Sequence, residues 1–397
     1  LRLETDGRHA RGGALRDLLA AAGLGLAELS NRSHQWNPRS PISRPRSENH
    51  VPFEPFQSLI RSVDRGLEVA AGGFHIDPWK PVDLALITHA HADHARSGST
   101  RYLCAKPSVP LLRSRLGVEI DVEGLEWGSR RTLGETIVSF HPAGHVLGSA
   151  QIRVEHPASG VVWVASGDYK RDPDPSCEPF QVVPCDVFIT EATFALPLYR
   201  WDDPRVVAEE VLQWWNRNRD AGRPSVLFAY ALGKSQRILK LLTEALGREG
   251  SRRRVLLHGA LQEMTAKYRE AGADFLPTEL VSEQPKRASF AGELILAPPS
   301  AGGTTWMKRF GTTAEKAFAS GWMRLRGTRR RRAVDRGFVI SDHADWSGLL
   351  QTIRESGARR GLCTHGYSDA LVKYLQEVEG VDAAPLETAF EGEADAT

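Results

Sequence analysis

The segment His89-Ala90-His91-Ala92-Asp93-His94 constrains this chain most, because it places four potential metal ligands within six residues. The aliphatic run that directly precedes it, Leu84 to Ile87, predicts a buried strand. A strand that ends in such a loop presents alternate side chains toward one metal ion and the others toward a second. Imidazole and carboxylate groups are ligands that borderline cations such as zinc accept. A polar surface turn would not concentrate three of the 13 histidines in six residues, so the segment predicts a metal site.

The composition of the chain is that of an ordinary globular protein with room for two domains. It has 397 residues, of which 41% are hydrophobic and 25% charged. Its four cysteines form no Cys-x-x-Cys pair, which predicts a reducing, cytoplasmic compartment. The formal net charge is only +2, so affinity for nucleic acid would have to come from a local basic surface. We expect no membrane segment, because the apolar stretch over residues 15–29 is short and interrupted by glycines and charges.

Six short aliphatic or β-branched runs are each followed by a titratable residue. The strands of a sheet-based enzyme deliver loop residues to one rim, so we expect these residues to meet in one site. They are His89, His145, Asp168, Glu191, His343 and His365. A histidine such as His343 taken alone is as often a core residue as a functional one, but an ordered set of six favours a shared site.

The order of the first metal-ligating residues resembles a known pattern. His89-x-His91-x-Asp93-His94 is followed by His145 in Gly-His-Val-Leu-Gly-Ser and by Asp168 in Ser-Gly-Asp-Tyr. This order and spacing are similar to the metal motifs of the metallo-β-lactamase superfamily. The similarity extends from about Gly66 to the C-terminus.

Three later motifs resemble those of the β-CASP branch of that superfamily, whose members cut nucleic acids. They are Glu191 in Thr-Glu-Ala-Thr-Phe, His343 in Ser-Asp-His-Ala-Asp and His365 in Thr-His-Gly. Within the branch, three further runs are most similar to the bacterial ligase-associated DNA exonucleases. These runs lie at 73–79, 230–237 and 320–323.

The resemblance implies an α/β fold, in which an αββα metallo-β-lactamase sandwich carries an inserted α/β domain of the β-CASP type. The segment between Glu191 and His343 has alternating helical and strand patterns of its own and the length of a domain. The predicted division is a weakly ordered extension over 1–50, the first part of the sandwich over 51–195, the inserted domain over 196–337 and the closing part of the sandwich over 338–397.

The resemblance also implies seven ligands for two divalent cations, with zinc expected and manganese as the alternative. One cation would take His89, His91 and His145, the second would take Asp93, His94 and His365, and Asp168 would bridge them. A hydroxide shared by such a pair can attack phosphorus in line. By resemblance, His343 would protonate the leaving oxygen and Glu191 would hold its imidazole. Asp93, Glu191 and His343 are therefore the predicted catalytic residues.

A run of arginines from Arg324 to Arg332 is the densest positive charge of the chain. A solvated loop is the ordinary interpretation of such a run, but its place just before His343 favours contacts with substrate phosphates. Gly233-Lys234-Ser235 lacks the glycine that a phosphate loop needs five positions earlier, since Phe228 stands there. The predicted substrate contacts are Lys234, Ser341, Arg324, Arg326 and Arg329. Contacts of this kind position a backbone without reading its sequence.

By this resemblance, the chain is a DNA exonuclease of repair that acts on single-stranded or end-processed DNA in the 5′ to 3′ direction. Its expected partners are a repair ligase and a helicase. A β-CASP ribonuclease is the main alternative, because a histidine at the position of His365 is typical of the ribonucleases of the branch. Two other classes fit less well: a thioester or lactone hydrolase would lack the large insertion, and an inactive nucleic-acid-binding subunit would have lost metal ligands.

Overall fold

The computed structural model describes residues 58–325, 327 and 332–390, and these residues form three β-sheets and six α-helices. The predicted N-terminal extension over 1–50 lies outside the described residues. None of the helices in the described ranges combines the length and the hydropathy needed to cross a bilayer.

The first sheet contains six strands in the order of the sequence. They are β1 (Arg61–Val63), β2 (Gly66–Val69), β3 (Phe74–Ile76), β4 (Leu84–Ile87), β5 (Arg101–Ala105) and β6 (Val122–Leu125). The pairs β1–β2 and β2–β3 are antiparallel, and the remaining pairs are parallel. The last three residues of β4 are fully buried, as its aliphatic sequence predicts.

The second sheet contains seven strands, two of which come from the C-terminal part of the chain. They are β7 (Arg131–Leu133), β8 (Thr136–Pro142), β9 (Ala150–His156), β10 (Val161–Ala165), β11 (Val187–Ala192), β18 (Arg360–Gly366) and β19 (Asp382–Pro385). Their order is β19-β18-β11-β10-β9-β8-β7, with parallel pairing from β10 to β19 and antiparallel pairing elsewhere. Strand β18 therefore lies beside β11, although about 170 residues separate them.

The third sheet is wholly parallel, and its strands come from one continuous stretch of sequence. They are β12 (Ser225–Phe228), β13 (Val255–Leu257), β14 (Thr278–Leu280), β15 (Leu294–Ala297), β16 (Glu315–Ala319) and β17 (Arg336–Phe338). Their order is β14-β13-β15-β12-β16-β17. Every residue of β12, β13 and β15 is buried, which is typical of parallel strands covered on both faces.

The six α-helices have recognisable start and stop signals. They are α1 (Val109–Leu116), α2 (Pro204–Asp220), α3 (Lys234–Leu246), α4 (Gln262–Glu270), α5 (Trp346–Ser356) and α6 (Ser368–Tyr374). The Asp203 side chain accepts a hydrogen bond from the backbone N–H of Arg205 at the start of α2. Asp345 caps α5 in the same way, and Gly357 ends that helix in the left-handed conformation.

The predicted α/β fold class is confirmed, and the strand ends place polar residues along one rim. The segment 89–94 follows β4 of the first sheet, whereas His145 and Asp168 follow β8 and β10 of the second sheet. Glu191 lies near the end of β11, and His365 lies near the end of β18. The two mixed sheets thus contribute to one site.

Candidate metal centre

The carboxylate of Asp168 lies at the centre of a buried group of imidazoles. Its Oδ2 atom is 3.5 Å from His89 Nε2, 3.6 Å from His94 Nε2 and 3.8 Å from His145 Nε2. Its Oδ1 atom is 3.3 Å from His365 Nε2. A single carboxylate therefore contacts imidazoles at the ends of three different strands, as expected of a ligand shared between two cations.

The two remaining predicted ligands join the same cluster. His91 Nδ1 lies 3.0 Å from His145 Nε2, and Asp93 Oδ2 lies 3.6 Å from His94 Nε2. Four of the residues have ligand atoms that all lie within 4.8 Å of one another: His89, His91, His145 and Asp168. The structure thus brings all seven predicted ligands into one place.

Each of the five imidazoles of the cluster has one ring nitrogen within hydrogen-bonding distance, 2.7 to 3.2 Å, of an oxygen atom that does not belong to the cluster. The partners are Thr88 Oγ1 for His89, the Leu232 carbonyl for His91, Asp77 Oδ2 for His94, the Asp342 carbonyl for His145 and Thr364 Oγ1 for His365. Where that nitrogen donates its proton to the partner, the opposite nitrogen keeps a lone pair that faces the cluster. Such an arrangement fixes the tautomer that a metal ligand requires.

Two observations indicate that these residues can hold a metal ion. Within the described part of the chain, the buried Nε2 atoms of His89 and His94 have no hydrogen-bond partner, although buried polar atoms normally have one. Two ligand atoms about 2.0 to 2.1 Å from a tetrahedral zinc ion lie about 3.3 to 3.4 Å apart, close to the distances measured around Asp168. The buried His/Asp cluster therefore indicates metal binding.

The electrostatic environment favours a positive charge at the centre of the cluster. Burial, and then neighbouring imidazoles, lower the pKa of both His89 and His145 well below the usual value, so both side chains are neutral at pH 7. Burial also lowers the pKa of His94, but Asp93 and Asp168 outweigh that effect and raise its pKa to about 10. Burial alone would raise the pKa of Asp168, but the surrounding imidazoles hold it well below its ordinary value.

A buried, hydrogen-bonded histidine and glutamate lie beside the cluster. His343 Nδ1 is 2.8 Å from Glu191 Oε2, and both side chains are buried. The other carboxylate oxygen of Glu191 accepts a hydrogen bond of 2.8 Å from the backbone N–H of Tyr169. The His343 ring centroid is 4.7 Å from that of His145, so a predicted metal ligand and the imidazole of the pair are neighbours. The sequence-predicted partners Glu191 and His343 are thus in contact.

Two predicted substrate contacts differ in position from what was expected. Lys234 is fully buried, and its Nζ atom lies 3.1 Å from Asp342 Oδ1. Ser341 is also buried, and its Oγ atom accepts a hydrogen bond from the backbone N–H of His343. Because the apolar face of α3 packs into the core, its N-terminal Lys234 points at the loop over 341–343 and not at solvent. Both residues support the His343 loop from inside.

The predicted arginine contacts lie at the edge of the described residues. Arg324 is exposed and donates a hydrogen bond of 3.0 Å to Asp202. Arg326 and Arg329 fall outside the described residues.

Three residues at the site were not predicted to function there. Asp77 is buried, directly follows β3, has a positive φ of 42° and accepts a hydrogen bond from His94 Nδ1. Like most of the predicted ligands, Asp77 directly follows a strand, so the same sequence pattern could have indicated it. Asp342 adjoins the predicted His343 and was missed because its contacts come from a distant helix. Phe390 packs on His94 with ring centroids 4.5 Å apart, and no local pattern indicates that contact.

The fold and the site together define a class of protein. An α/β fold with two mixed sheets and a buried His/Asp cluster at the strand ends is typical of the metallo-β-lactamase fold.

Comparisons with known proteins agree with this class. No protein-family model matches the sequence. The chain is similar to the probable DNA ligase of Opitutus terrae, at 30% identity over 320 residues that cover 80% of this chain and 30% of that protein. It is also similar to the endoribonuclease YSH1 of Gibberella zeae, at 25% identity over 206 residues that cover 42% of this chain and 24% of that protein.

A solved structure shares the fold. It belongs to a protein of unknown function from Enterococcus faecalis V583, which matches with a TM-score of 0.52 at 13% identity and covers 76% of this chain and 78% of that chain. The relatives of the chain thus include metallo-β-lactamase/β-CASP nucleases. The chain spans less than a third of the length of the ligase and the endoribonuclease.

Proposed function

We propose that this chain is a metal-dependent nuclease of the β-CASP type that removes nucleotides from DNA ends, with a preference for the 5′ to 3′ direction. The observation that carries the proposal is the buried Asp168 carboxylate, which contacts four imidazoles and lies in the same site as the Glu191–His343 pair. The pair can supply what phosphodiester cleavage needs besides the cations, since the departing alkoxide must take up a proton.

The seven cluster residues would hold two divalent cations, zinc or manganese. One would be held by His89, His91 and His145, the other by Asp93, His94 and His365, with Asp168 shared. Cations bound there would lower the pKa of water and neutralise charge on the phosphate oxygens. The residues outside the cluster orient these ligands, since each donor nitrogen has a fixed partner.

His343 would act as the general acid of the reaction. Its Nδ1–H donates to Glu191 Oε2, which leaves Nε2 to carry the proton for the departing oxygen. The hydrogen bond from the Tyr169 N–H fixes Glu191, so the carboxylate can hold the imidazole in one orientation.

The segment over 196–337 would act as the inserted domain that covers the metal centre and guides the strand toward it. Its helix α4 packs against α1 of the sandwich, and the Leu147 N–H donates to the Tyr268 hydroxyl of α4. Arg324, together with Arg326 and Arg329, would contact phosphates at its edge. Such contacts are independent of base sequence, so little sequence preference is expected.

DNA is favoured as the substrate by the similarity to a probable DNA ligase over 80% of this chain. A repair ligase is a proposed partner for the same reason, and a helicase is proposed from the resemblance of the runs at 73–79, 230–237 and 320–323 to the ligase-associated DNA exonucleases. All four cysteines are unpaired, which supports a reducing, cytoplasmic location. RNA is the second candidate, because the chain is also similar to an endoribonuclease and His365 is present.

The test is a comparison of end-labelled single-stranded DNA and RNA of identical sequence, incubated with the metal-loaded protein. Stepwise shortening of DNA, with RNA largely spared, is the expected result, and labels at either end reveal the direction. Preferential cutting of RNA would replace the DNA proposal by the ribonuclease. Absence of cleavage of both, by protein that retains its metal, would refute the nuclease proposal as a whole.

A further inference from the structure

The C-terminal segment over 386–390 crosses from the second sheet to the first beside the metal centre. The Leu386 N–H donates to the Cys363 carbonyl and so continues the pairing of β19 with β18. One residue later, the Glu387 carbonyl accepts a hydrogen bond of 2.5 Å from the hydroxyl of Ser62 in β1. The segment is therefore attached to both mixed sheets before it reaches Phe390.

Phe390 packs directly on two imidazoles of the cluster. Its ring is stacked on His94, with centroids 4.5 Å apart and planes inclined by 16°. It meets His365 edge to face at 5.9 Å and Trp79 edge to face at 5.8 Å. Among the described aromatic and imidazole rings, it packs on these three, so it touches both imidazoles assigned to the second cation and none assigned to the first.

The stacked ring completes the support of His94. Asp77 holds the Nδ1 edge of that imidazole at 2.7 Å, and Nε2 points toward Asp168. Phe390 covers one face of the ring, which stops it from tilting away. A cavity of about 10 Å³ lies among these side chains, with room for about one water molecule. Loss of the Phe390 ring would widen this cavity and remove a packing contact from both His94 and His365.

We infer that Phe390 is a positioning residue that holds His94 and His365 in place for the second cation. The inference rests on the two-metal site of the proposed function. Residues that orient metal ligands without touching the metal typically change affinity by about 10- to 100-fold when they are replaced. Replacement of Phe390 should therefore weaken binding of the second cation and leave that of the first, because the Phe390 ring packs on His94 and His365 and on none of the three imidazoles assigned to the first cation.

The experiment titrates zinc into metal-depleted full-length protein by calorimetry and measures bound metal after dialysis. Wild-type protein should bind two ions. Phe390→Ala should bind one ion with wild-type affinity and the second about 10- to 100-fold more weakly. Phe390→Tyr, which keeps a flat ring, should restore the second site. Trp306→Ala is the matched control, since Trp306 packs edge to face on His258, a histidine outside the cluster, and should leave both sites unchanged.

Three results would overturn the inference. Phe390→Ala could bind both ions as tightly as the wild type, or it could lose both to the same extent. The wild type could also bind fewer than two ions, which would remove the second site itself. Failure of the nuclease proposal would appear differently, as wild-type protein that holds its metal and cleaves neither nucleic acid.

Discussion

At the residue scale, Asp168 is the most important of the predicted ligands, because both cations would share it. It is only 5% exposed, and four imidazoles converge on its two oxygens. In the proposed function the other predicted ligands are each assigned to one cation, so the loss of Asp168 should affect both. That difference gives the substitution a distinct signature.

Asp168→Ala should reduce cleavage by at least about 100-fold and lower the bound metal below two ions per chain. The magnitude follows from the fact that even residues behind the ligands cost up to about 100-fold. Metal analysis and a labelled-DNA assay give the two readouts. Asp83→Ala is the control, since Asp83 is exposed and outside the cluster. Wild-type turnover in Asp168→Ala would refute the role of the cluster in catalysis.

His343 should behave differently, because it lies beside the cluster and is not an assigned ligand. His343→Ala should keep its metal but cleave DNA about 10²- to 10⁴-fold more slowly, the usual contribution of a general acid. An activated nitrophenyl diester has a leaving group that needs no proton, so its cleavage should slow much less. Glu191→Gln should share this pattern more weakly. Equal slowing of both substrates would exclude His343 as the acid.

The residues that the sequence could predict are those whose spacing is local. The six-residue segment over 89–94 contains four of the predicted ligands, so it predicts a metal site without a structure. Asp342 and Phe390 were not predicted, since their roles arise from contacts with helix α3 and with His94 that no sequence spacing shows. Asp77 could have been predicted in part. The sequence shows that it follows a strand, but it does not show the hydrogen bond between Asp77 and His94.

At the element scale, helix α3 is bound to the His343 loop by two buried charges at its N-terminus. Lys234 Nζ lies 3.1 Å from Asp342 Oδ1. Arg237 donates a hydrogen bond of 2.6 Å to the Ser341 carbonyl and forms an ion pair with Asp174. Burial alone would raise the pKa of Asp342, but Lys234 and other positive groups hold it well below the ordinary value. The Asp342 carbonyl also accepts the hydrogen bond from His145, so this contact links α3 to the metal centre.

The Lys234–Asp342 pair can be tested by a double-mutant cycle. Lys234→Met or Asp342→Asn alone should lower the free energy of unfolding by about 3 to 5 kcal/mol, since each removes one charge of a buried ion pair and keeps the other. The double variant should be less destabilised than the sum, because both charges are then gone. Urea denaturation at pH 7 measures all four proteins. Strictly additive effects would show that the two side chains do not interact.

Elements were predicted better than their arrangement. The buried strand expected over Leu84 to Ile87 is observed as β4 with the same bounds. The aliphatic run carries that information locally. The pairing of β18 with β11 could not be read in the same way, because it depends on the packing of residues about 170 positions apart.

At the scale of the whole molecule, the predicted ligands come from both mixed sheets. Those after β4 of the first sheet are His89, His91, Asp93 and His94, and those from the second sheet are His145, Asp168 and His365. A cation held by both groups would cross-link the two sheets at one end. The same end carries the Glu191–His343 pair and the contact with α3, so the site and the packing of the sheets depend on each other.

Metal removal should therefore destabilise the whole fold and not only the site. A ligand present at 100 times its Kd adds about 2.7 kcal/mol to the free energy of unfolding, which corresponds to a Tm shift of about 5 °C for a large domain. We expect the Tm to fall by about this amount after dialysis against a chelator and to recover when zinc is restored. Asp168→Ala should show a smaller shift, because its metal is already weakened. An unchanged Tm in chelated wild-type protein, together with confirmed loss of metal, would mean that the two sheets hold together without the cations and that the cluster serves chemistry alone.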